Sequence, residues 1–185
     1  SFTGSTGVGK SIQHSVAQTL VRTQLELGGK NPAVIMEDAD LDKAADAVAT
    51  AAYACAGQWC TSTSRAIVVR EVAEAFNAKL LERVKAIRVG DGRGDVDMGP
   101  VCGSDQLESI MGYINIGRGE GATLAAGGNR LTADGMDQGC FIEPTVFTDV
   151  QPEMRIAQEE IFGPVLSVLV ADNFDEALEL ANRVE

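Results

Sequence analysis

An α/β fold with a largely parallel sheet is what this sequence predicts, and two observations carry that prediction. Short apolar runs rich in Val, Ile and Ala alternate along the chain with longer segments whose apolar residues recur at helical spacing. The stretches between them are rich in Gly, Asp and Pro, and no internal repeat or low-complexity tract interrupts the alternation. A chain of 185 residues with 45% hydrophobic content can bury a substantial core.

Taken in order, Gly4 to Gly9 reads as a glycine-rich loop with no strand before it. It feeds a helix over 9–22 whose stripe is Ile12, Val16, Ala17, Leu20 and Val21. Gln24 to Leu27 and Pro32 to Met36 read as buried strands on either side of Gly28-Gly29. Asp40 is placed to cap a helix with apolar face Leu41, Ala44, Ala45, Val48, Ala52 and Cys55, ending near Gly57. Ser64 to Arg70 is a strand, followed by a helix through Val72, Phe76, Leu80, Val84 and Ile87. Gly90 to Gly103 is a loop, and Leu107, Ile110, Met111 and Ile114 mark the next helix. Strands at Ala122–Ala126, Phe141–Phe147 and Val165–Val170 and a helix from Phe174 complete the pattern, with a turn-rich stretch over Gly127–Gly139. The glycine-loop opening and the uncapped helical pattern from Ala177 to Val184 read as a segment cut from a longer chain.

Composition narrows the chemistry. A formal charge of −12 without a Lys/Arg cluster argues against nucleic acid as a partner. No apolar run approaches the length of a membrane span, and no signal segment opens the chain, so no membrane partner is expected. The four cysteines, Cys55, Cys60, Cys102 and Cys140, form no C-x-x-C pair and read as thiols of a reducing, cytoplasmic compartment. A single histidine, His14, leaves little scope for a Ser/His/Asp triad or a multi-histidine metal centre, and no metal site is expected. Asp38, Asp40 and Asp42 imitate the start of a calcium loop, but Lys43 and Ala49 stand where its glycine and bidentate glutamate belong.

Three features remain. Gly4-Ser5-Thr6-Gly7-Val8-Gly9-Lys10-Ser11 satisfies the phosphate-binding loop pattern G-x-x-x-x-G-K-[ST]. A nucleotide hydrolase built on it would need a magnesium-holding aspartate at a strand end, and Asp38 and Asp172 are candidates; the alternative is a plain glycine turn into a helix. Cys60, in Gly57-Gln58-Trp59-Cys60-Thr61, sits among small and polar residues just past a helix, which suits an accessible nucleophile better than Cys55 on an apolar helix face. With so little histidine, a general base for that thiol has to be a carboxylate. Glu26, an acid within the apolar Gln24–Leu27 strand, is the candidate; apolar neighbours would make it a stronger base, and the alternative is an edge-strand glutamate facing water. Glu159 and Glu160, before Ile161-Phe162-Gly163-Pro164, form a further acidic site.

Phe2-Thr3-Gly4-Ser5, Glu26-Leu27-Gly28-Gly29-Lys30-Asn31-Pro32, Gly57-Gln58-Trp59-Cys60, Met98-Gly99-Pro100 and Glu159-Glu160-Ile161-Phe162-Gly163-Pro164 occur in the order seen in aldehyde dehydrogenases. The chain resembles that family over essentially its whole length, which reduces the phosphate-loop match to a chance overlap at Lys10-Ser11. The resemblance implies an aldehyde-dehydrogenase-like catalytic domain over 27–185 and, over 1–26, the C-terminal remnant of a Rossmann-like NAD(P)-binding domain. It makes Cys60 the nucleophile and Glu26 the general base. It assigns Gly4, Ser5, Val8, Gly9, Leu27, Glu160 and Phe162 to the binding of NAD or NADP, with Gly28 and Gly29 passing close to the nicotinamide. It further implies a small aldehyde substrate, a semialdehyde of sugar-acid breakdown being suggested by Gly-Gln-Trp-Cys-Thr, and a full-length homo-oligomer, dimer or tetramer. The adenosine-binding strands, the oxyanion-hole asparagine and the oligomerisation segment fall outside the 185 residues, so the isolated chain is expected to be inactive.

Overall fold

The structure, a computed structural model, describes residues 1–184. Two sheets are present. The smaller pairs β1 (Phe2–Gly4) with β2 (Leu25–Leu27) in parallel, connected through α1 (Thr6–Val16) and a short 3-10 turn over Ala17–Thr19. The larger has five strands in the order β3-β4-β7-β6-β5, where β3 is Asn31–Ile35, β4 Thr63–Val69, β5 Thr123–Ala126, β6 Thr145–Thr148 and β7 Val165–Ala171. Only the β5–β6 pair is antiparallel. The α/β class and the mostly parallel sheet expected from the sequence are what the chain forms.

Neighbouring strands β4 and β7 show why the sheet takes this order. Their residues are buried almost without alternation, with Ala66, Ile67, Val68, Leu166, Val168 and Leu169 all at 2% exposure or less. Such continuous burial means that both faces are covered. α2 (Leu41–Tyr53), α3 (Arg70–Ala86) and α6 (Phe174–Asn182) supply the cover, each packing on β4 and β7. β3 lies at an edge, which is where Pro32, unable to donate to a ladder, is tolerated. α4 (Ser104–Gly119) and α5 (Arg155–Gln158) pack on one another near β5, and Phe147, Ile110, Ile114 and Ile156 close that end of the core.

Helix ends follow the local chemistry. Asp40 caps α2 by accepting from the Lys43 backbone N–H at 3.2 Å, and Asn173 caps α6 by accepting from that of Glu176 at 3.0 Å. At the other end of α6 the buried guanidinium of Arg65 donates to the carbonyls of Leu180 and Ala181 at 2.8 and 2.9 Å. Its Nε donates to the Lys30 carbonyl at 2.9 Å, so one side chain ties β4, β3 and the helix terminus together. A cation at a helix C-terminus meets the negative end of the dipole.

Three sequence expectations change. A strand, β1, does precede the glycine segment. α1 starts at Thr6 rather than at Gly9, so Gly7, Val8, Gly9 and Lys10 are helical and the Gly9 N–H donates to the Ser5 carbonyl at 3.0 Å. A phosphate-binding loop needs those N–H groups free to converge on an anion, and Asp172, one proposed magnesium holder, is instead paired with Arg70 at 2.6 Å. The nucleotide-hydrolase alternative is therefore not favoured. The short β6 begins only at Thr145, because before it only Ile142 pairs, in an isolated bridge with Arg130, and Glu143 and Pro144 join no ladder. Among the described residues no helix is long and apolar enough to cross a membrane.

Candidate active site

α2 ends at Tyr53, whose buried hydroxyl donates to the Thr145 carbonyl at 2.9 Å. Cys55, Ala56 and Gly57 then take positive φ values of 50°, 55° and 68° in succession. Left-handed backbone costs a non-glycine residue about 1–2 kcal/mol, so the surrounding packing must hold this run in place. Gly57 is required on a second count. A Cβ there would fall 2.2 Å from the Gly163 carbonyl oxygen, and this backbone-to-backbone approach seats the following turn beside the Glu160–Gly163 segment.

That turn carries Cys60. The Ser62 N–H donates to the Trp59 carbonyl at 3.0 Å, and the chain enters β4 at Thr63. Cys60 is exposed, as expected of a nucleophile. Cys55, expected to be packed on the apolar face of α2, is exposed as well, because the helix stops before it and the left-handed run turns it outward. Exposure alone does not separate Cys60 from Cys55 and Cys102.

The Cys60 turn is fastened on two sides by Asn31 and Gln58, which stand in the family-resembling blocks but received no role from the sequence analysis. Asn31, the first residue of β3, donates from Nδ2 to the Cys60 carbonyl at 2.7 Å and to the Ser62 carbonyl at 2.9 Å. Gln58 accepts from the Cys102 backbone N–H at 2.8 Å and donates to the Cys55 carbonyl at 3.3 Å. Their signal is invisible in one dimension, since an amide bound to a distant carbonyl leaves no pattern in spacing.

Glu160 is exposed and lies directly over Gly28. A Cβ at Gly28 would fall 1.9 Å from Glu160 Oε2, and the Gly29 N–H points at Glu160 Oε1 from 3.4 Å. Phe162, 40% exposed and also left-handed at φ 55°, stands next to it. Gln106 donates to the Ile161 and Phe162 carbonyls at 3.0 and 2.9 Å, which holds this second strained turn. Glu159 faces elsewhere: Arg155 grips both its carboxylate oxygens at 2.7 and 2.8 Å, and Tyr113 donates to it at 2.7 Å, so its carboxyl is held below the usual carboxylate range. Asn31, Trp59, Ser62, Glu160 and Phe162 line one small cavity of about 10 Å³.

The remaining candidates lie on the small sheet. Gly4 pairs with Leu27 in register, and a Cβ at Gly9 would fall 2.7 Å from Leu27 Cδ2, so Gly4, Gly9 and Leu27 form one cluster where α1 crosses β2. Ser5 precedes α1 as its cap residue, and Val8 is exposed on the first turn. Glu26 sits at the centre of β2 opposite Thr3, and its side chain faces solvent rather than apolar neighbours. From Glu26 the chain runs through Leu27 to Gly28-Gly29, under Glu160, and on to Asn31, which holds Cys60.

Lys30 lies within this stretch, 5% exposed, and its Nζ has no hydrogen-bond partner among the described residues. Burial first, and then the nearby Arg65 guanidinium, bring its ammonium down to about 7, against a smaller opposing pull from Glu160 and Glu159.

An exposed thiol on a fixed turn, an exposed carboxylate, an exposed aromatic ring and a side-chain-free glycine segment suit a nucleophile working beside a hydroxyl-bearing, flat-ringed ligand. The comparisons decide which family does this. A model of the aldehyde dehydrogenase family matches residues 1–185. The chain belongs to the aldehyde dehydrogenase family. Alpha-ketoglutaric semialdehyde dehydrogenase of Bacillus subtilis is 46% identical over all 185 residues, and so is alpha-ketoglutarate semialdehyde dehydrogenase of Haloferax volcanii. In each case the chain spans 38% of the relative's length. Crystal structures of betaine aldehyde dehydrogenase from Staphylococcus aureus in complex with NAD+ superpose with TM-scores of 0.96 and 0.95 at 41% identity, over 99% of this chain and 37% and 36% of theirs. The aldehyde dehydrogenase fold expected from the sequence is thus the one found.

Proposed function

We propose that this chain is the catalytic part of an NAD(P)-dependent aldehyde dehydrogenase in which Cys60 is the nucleophile and Glu26 the general base. The observation that carries the proposal is the seating of the exposed Cys60 turn, by Asn31 and by the Gly57–Gly163 contact, against the Gly28–Gly29 and Glu160–Phe162 segments. The Cys60 thiolate adds to the aldehyde carbon and its electron pair forms the C–S bond, leaving an oxyanion. A bound nicotinamide would supply the two-electron oxidation as the acceptor of a hydride from that carbon, and the carbon would then remain on Cys60 as a thioester. Glu26 takes a proton from a water that attacks the thioester carbon; the C–S bond breaks, the carboxylic acid leaves, Cys60 is released as the thiolate with the bonding pair, and the proton on Glu26 passes to solvent.

The glycine segment, the Glu160 carboxylate and the Phe162 ring fit the nicotinamide end of such a cofactor, Glu160 accepting from ribose hydroxyls. Gly4, Ser5, Val8, Gly9 and Leu27 form the adjoining wall. We place the end of the cofactor domain at 1–26 and the thiol domain at 27–185, a boundary that falls within β2, whose last residue Leu27 still pairs with Gly4. The names of the relatives at 46% identity support a semialdehyde, 2-oxoglutarate semialdehyde, as substrate. A homo-oligomeric, cytoplasmic enzyme is the setting proposed for the full-length protein, and the 185 residues alone are proposed to be inactive.

The test is steady-state oxidation of 2-oxoglutarate semialdehyde by the full-length enzyme containing this chain, with NAD and with NADP. Cys60→Ala should abolish turnover, and Glu26→Gln should slow thioester hydrolysis about 100-fold or more, the size expected for loss of a general base. Full activity in Cys60→Ala would overturn the proposal.

A further inference from the structure

Both hydrogens of the Asn31 amide are committed to the Cys60 turn, one to the Cys60 carbonyl at 2.7 Å and one to the Ser62 carbonyl at 2.9 Å. These carbonyls flank the turn that presents the thiol, so a single planar group fixes its position and its tilt. Asn31 is itself fixed. It opens β3 opposite Thr63 of β4, with a register shift immediately after it, and its Oδ1 sits where it leaves only 3.2 Å to a Cβ built on Gly29. The backbone leading into it is Glu26-Leu27-Gly28-Gly29-Lys30, so Asn31 is the hydrogen-bonding link between the segment that carries the base and the turn that carries the thiol.

We infer that Asn31 is a positioning residue that sets the Cys60 thiol against the Glu26–Gly29 segment by clamping the Cys60 and Ser62 carbonyls. This rests on the reading of Cys60 as nucleophile. The clamp adds no group to the reaction. It acts on how often the thiol, the aldehyde carbon and the attacking water meet in a reactive arrangement, and a displacement of about 1 Å there costs up to 100-fold in rate. Both amide hydrogens of Asn31 are taken up by backbone carbonyls, so its loss should act on kcat rather than on aldehyde binding.

The experiment compares wild type, Asn31→Ala and Asn31→Ser in the full-length enzyme, measuring kcat, KM, melting temperature and the rate at which iodoacetamide alkylates each cysteine. Asn31→Ala should lower kcat about 10- to 100-fold with KM within threefold. Alkylation of Cys60 should stay within a fewfold of wild type, because a small alkylating agent needs only an exposed thiol. Asn31→Ser, which keeps one donor, should recover part of the lost kcat. A kcat within twofold of wild type in both variants overturns the inference. So does a loss of kcat matched by faster alkylation of partly buried Cys140, which signals general loosening. If Asn31→Ala does not fold, Asn31→Ser alone decides, wild-type kcat counting against the clamp. The outcome separates from failure of the underlying reading, which is an active Cys60→Ala.

Discussion

The small β1–α1–β2 unit and the five-stranded body are built on opposite principles. In the body, strands buried on both faces and the helices over them supply most of the core between Ile35 and Leu180, with Met98, Val101, Ile142, Val150 and Ile161 added from the connecting segments. In the small unit Gly9 alone is buried within α1, while Val8, Leu20 and Val21 stand 48%, 88% and 57% exposed. Within these residues, which span 38% of the relatives' length, the body is held by its own packing, whereas the small unit is tied in by chain continuity and its two parallel strands. The candidate site lies at their junction, where the glycine segment 28–29 leaves one and Asn31 enters the other.

Cutting into the body should have the largest effect. Phe147, fully buried between β6 and α4, leaves a large cavity when truncated, and Phe147→Ala should lower the free energy of unfolding by about 3–5 kcal/mol in urea titration. Arg65→Met keeps the volume but withdraws the donors from the Lys30, Leu180 and Ala181 carbonyls; about 3 kcal/mol should be lost in the same assay.

Lys30 sharpens the contrast through pH. Its folded value of about 7 lies below the ordinary 10.5, so between those values the unfolded chain binds more protons than the folded one. Its contribution to stability therefore rises with pH across that window and is least below pH 7. Lys30→Met, which removes the titration, should be more stable than wild type by about 2 kcal/mol or more at pH 6 and should lose that advantage towards pH 10. Unfolding curves at the two pH values check this. In the 185-residue chain the smallest effect belongs to the small unit, where Val8→Ser and Leu20→Ser should change the unfolding free energy by less than about 0.5 kcal/mol. A loss of several kcal/mol from either would show that the unit shares the core of the body.

The body was also the more legible part of the sequence. Ala66–Val69 is a continuous apolar run and Val165–Val170 is broken only by Ser167, and continuous burial leaves a one-dimensional trace, so β4 and β7 emerge within a residue of their expected limits. β1 and α5 were not legible, because three- and four-residue elements are too short to show a period. The site divides in the same way. Cys60 declared itself through its glycine-flanked, polar setting. Cys55 misled, because apolar periodicity continues through a point where three left-handed residues end the helix. The apolar letters around Glu26 suggested enclosure, yet a strand in a two-stranded sheet leaves its side chain in solvent. Asn31, Gln58 and Gln106 act on backbone carbonyls far away in sequence, and Lys30 is buried only by tertiary packing, so composition and spacing carry no sign of any of them.

The central claim, that Cys60 carries the acyl group and Glu26 releases it, is tested most directly by acid-quenching the full-length Glu26→Gln enzyme during turnover of 2-oxoglutarate semialdehyde and mapping its peptides by mass spectrometry. The account predicts an acyl adduct on the peptide containing Cys60, accumulating to near stoichiometry. An adduct on Cys55, Cys102 or Cys140, or none at any cysteine while the aldehyde is still oxidised, would contradict it.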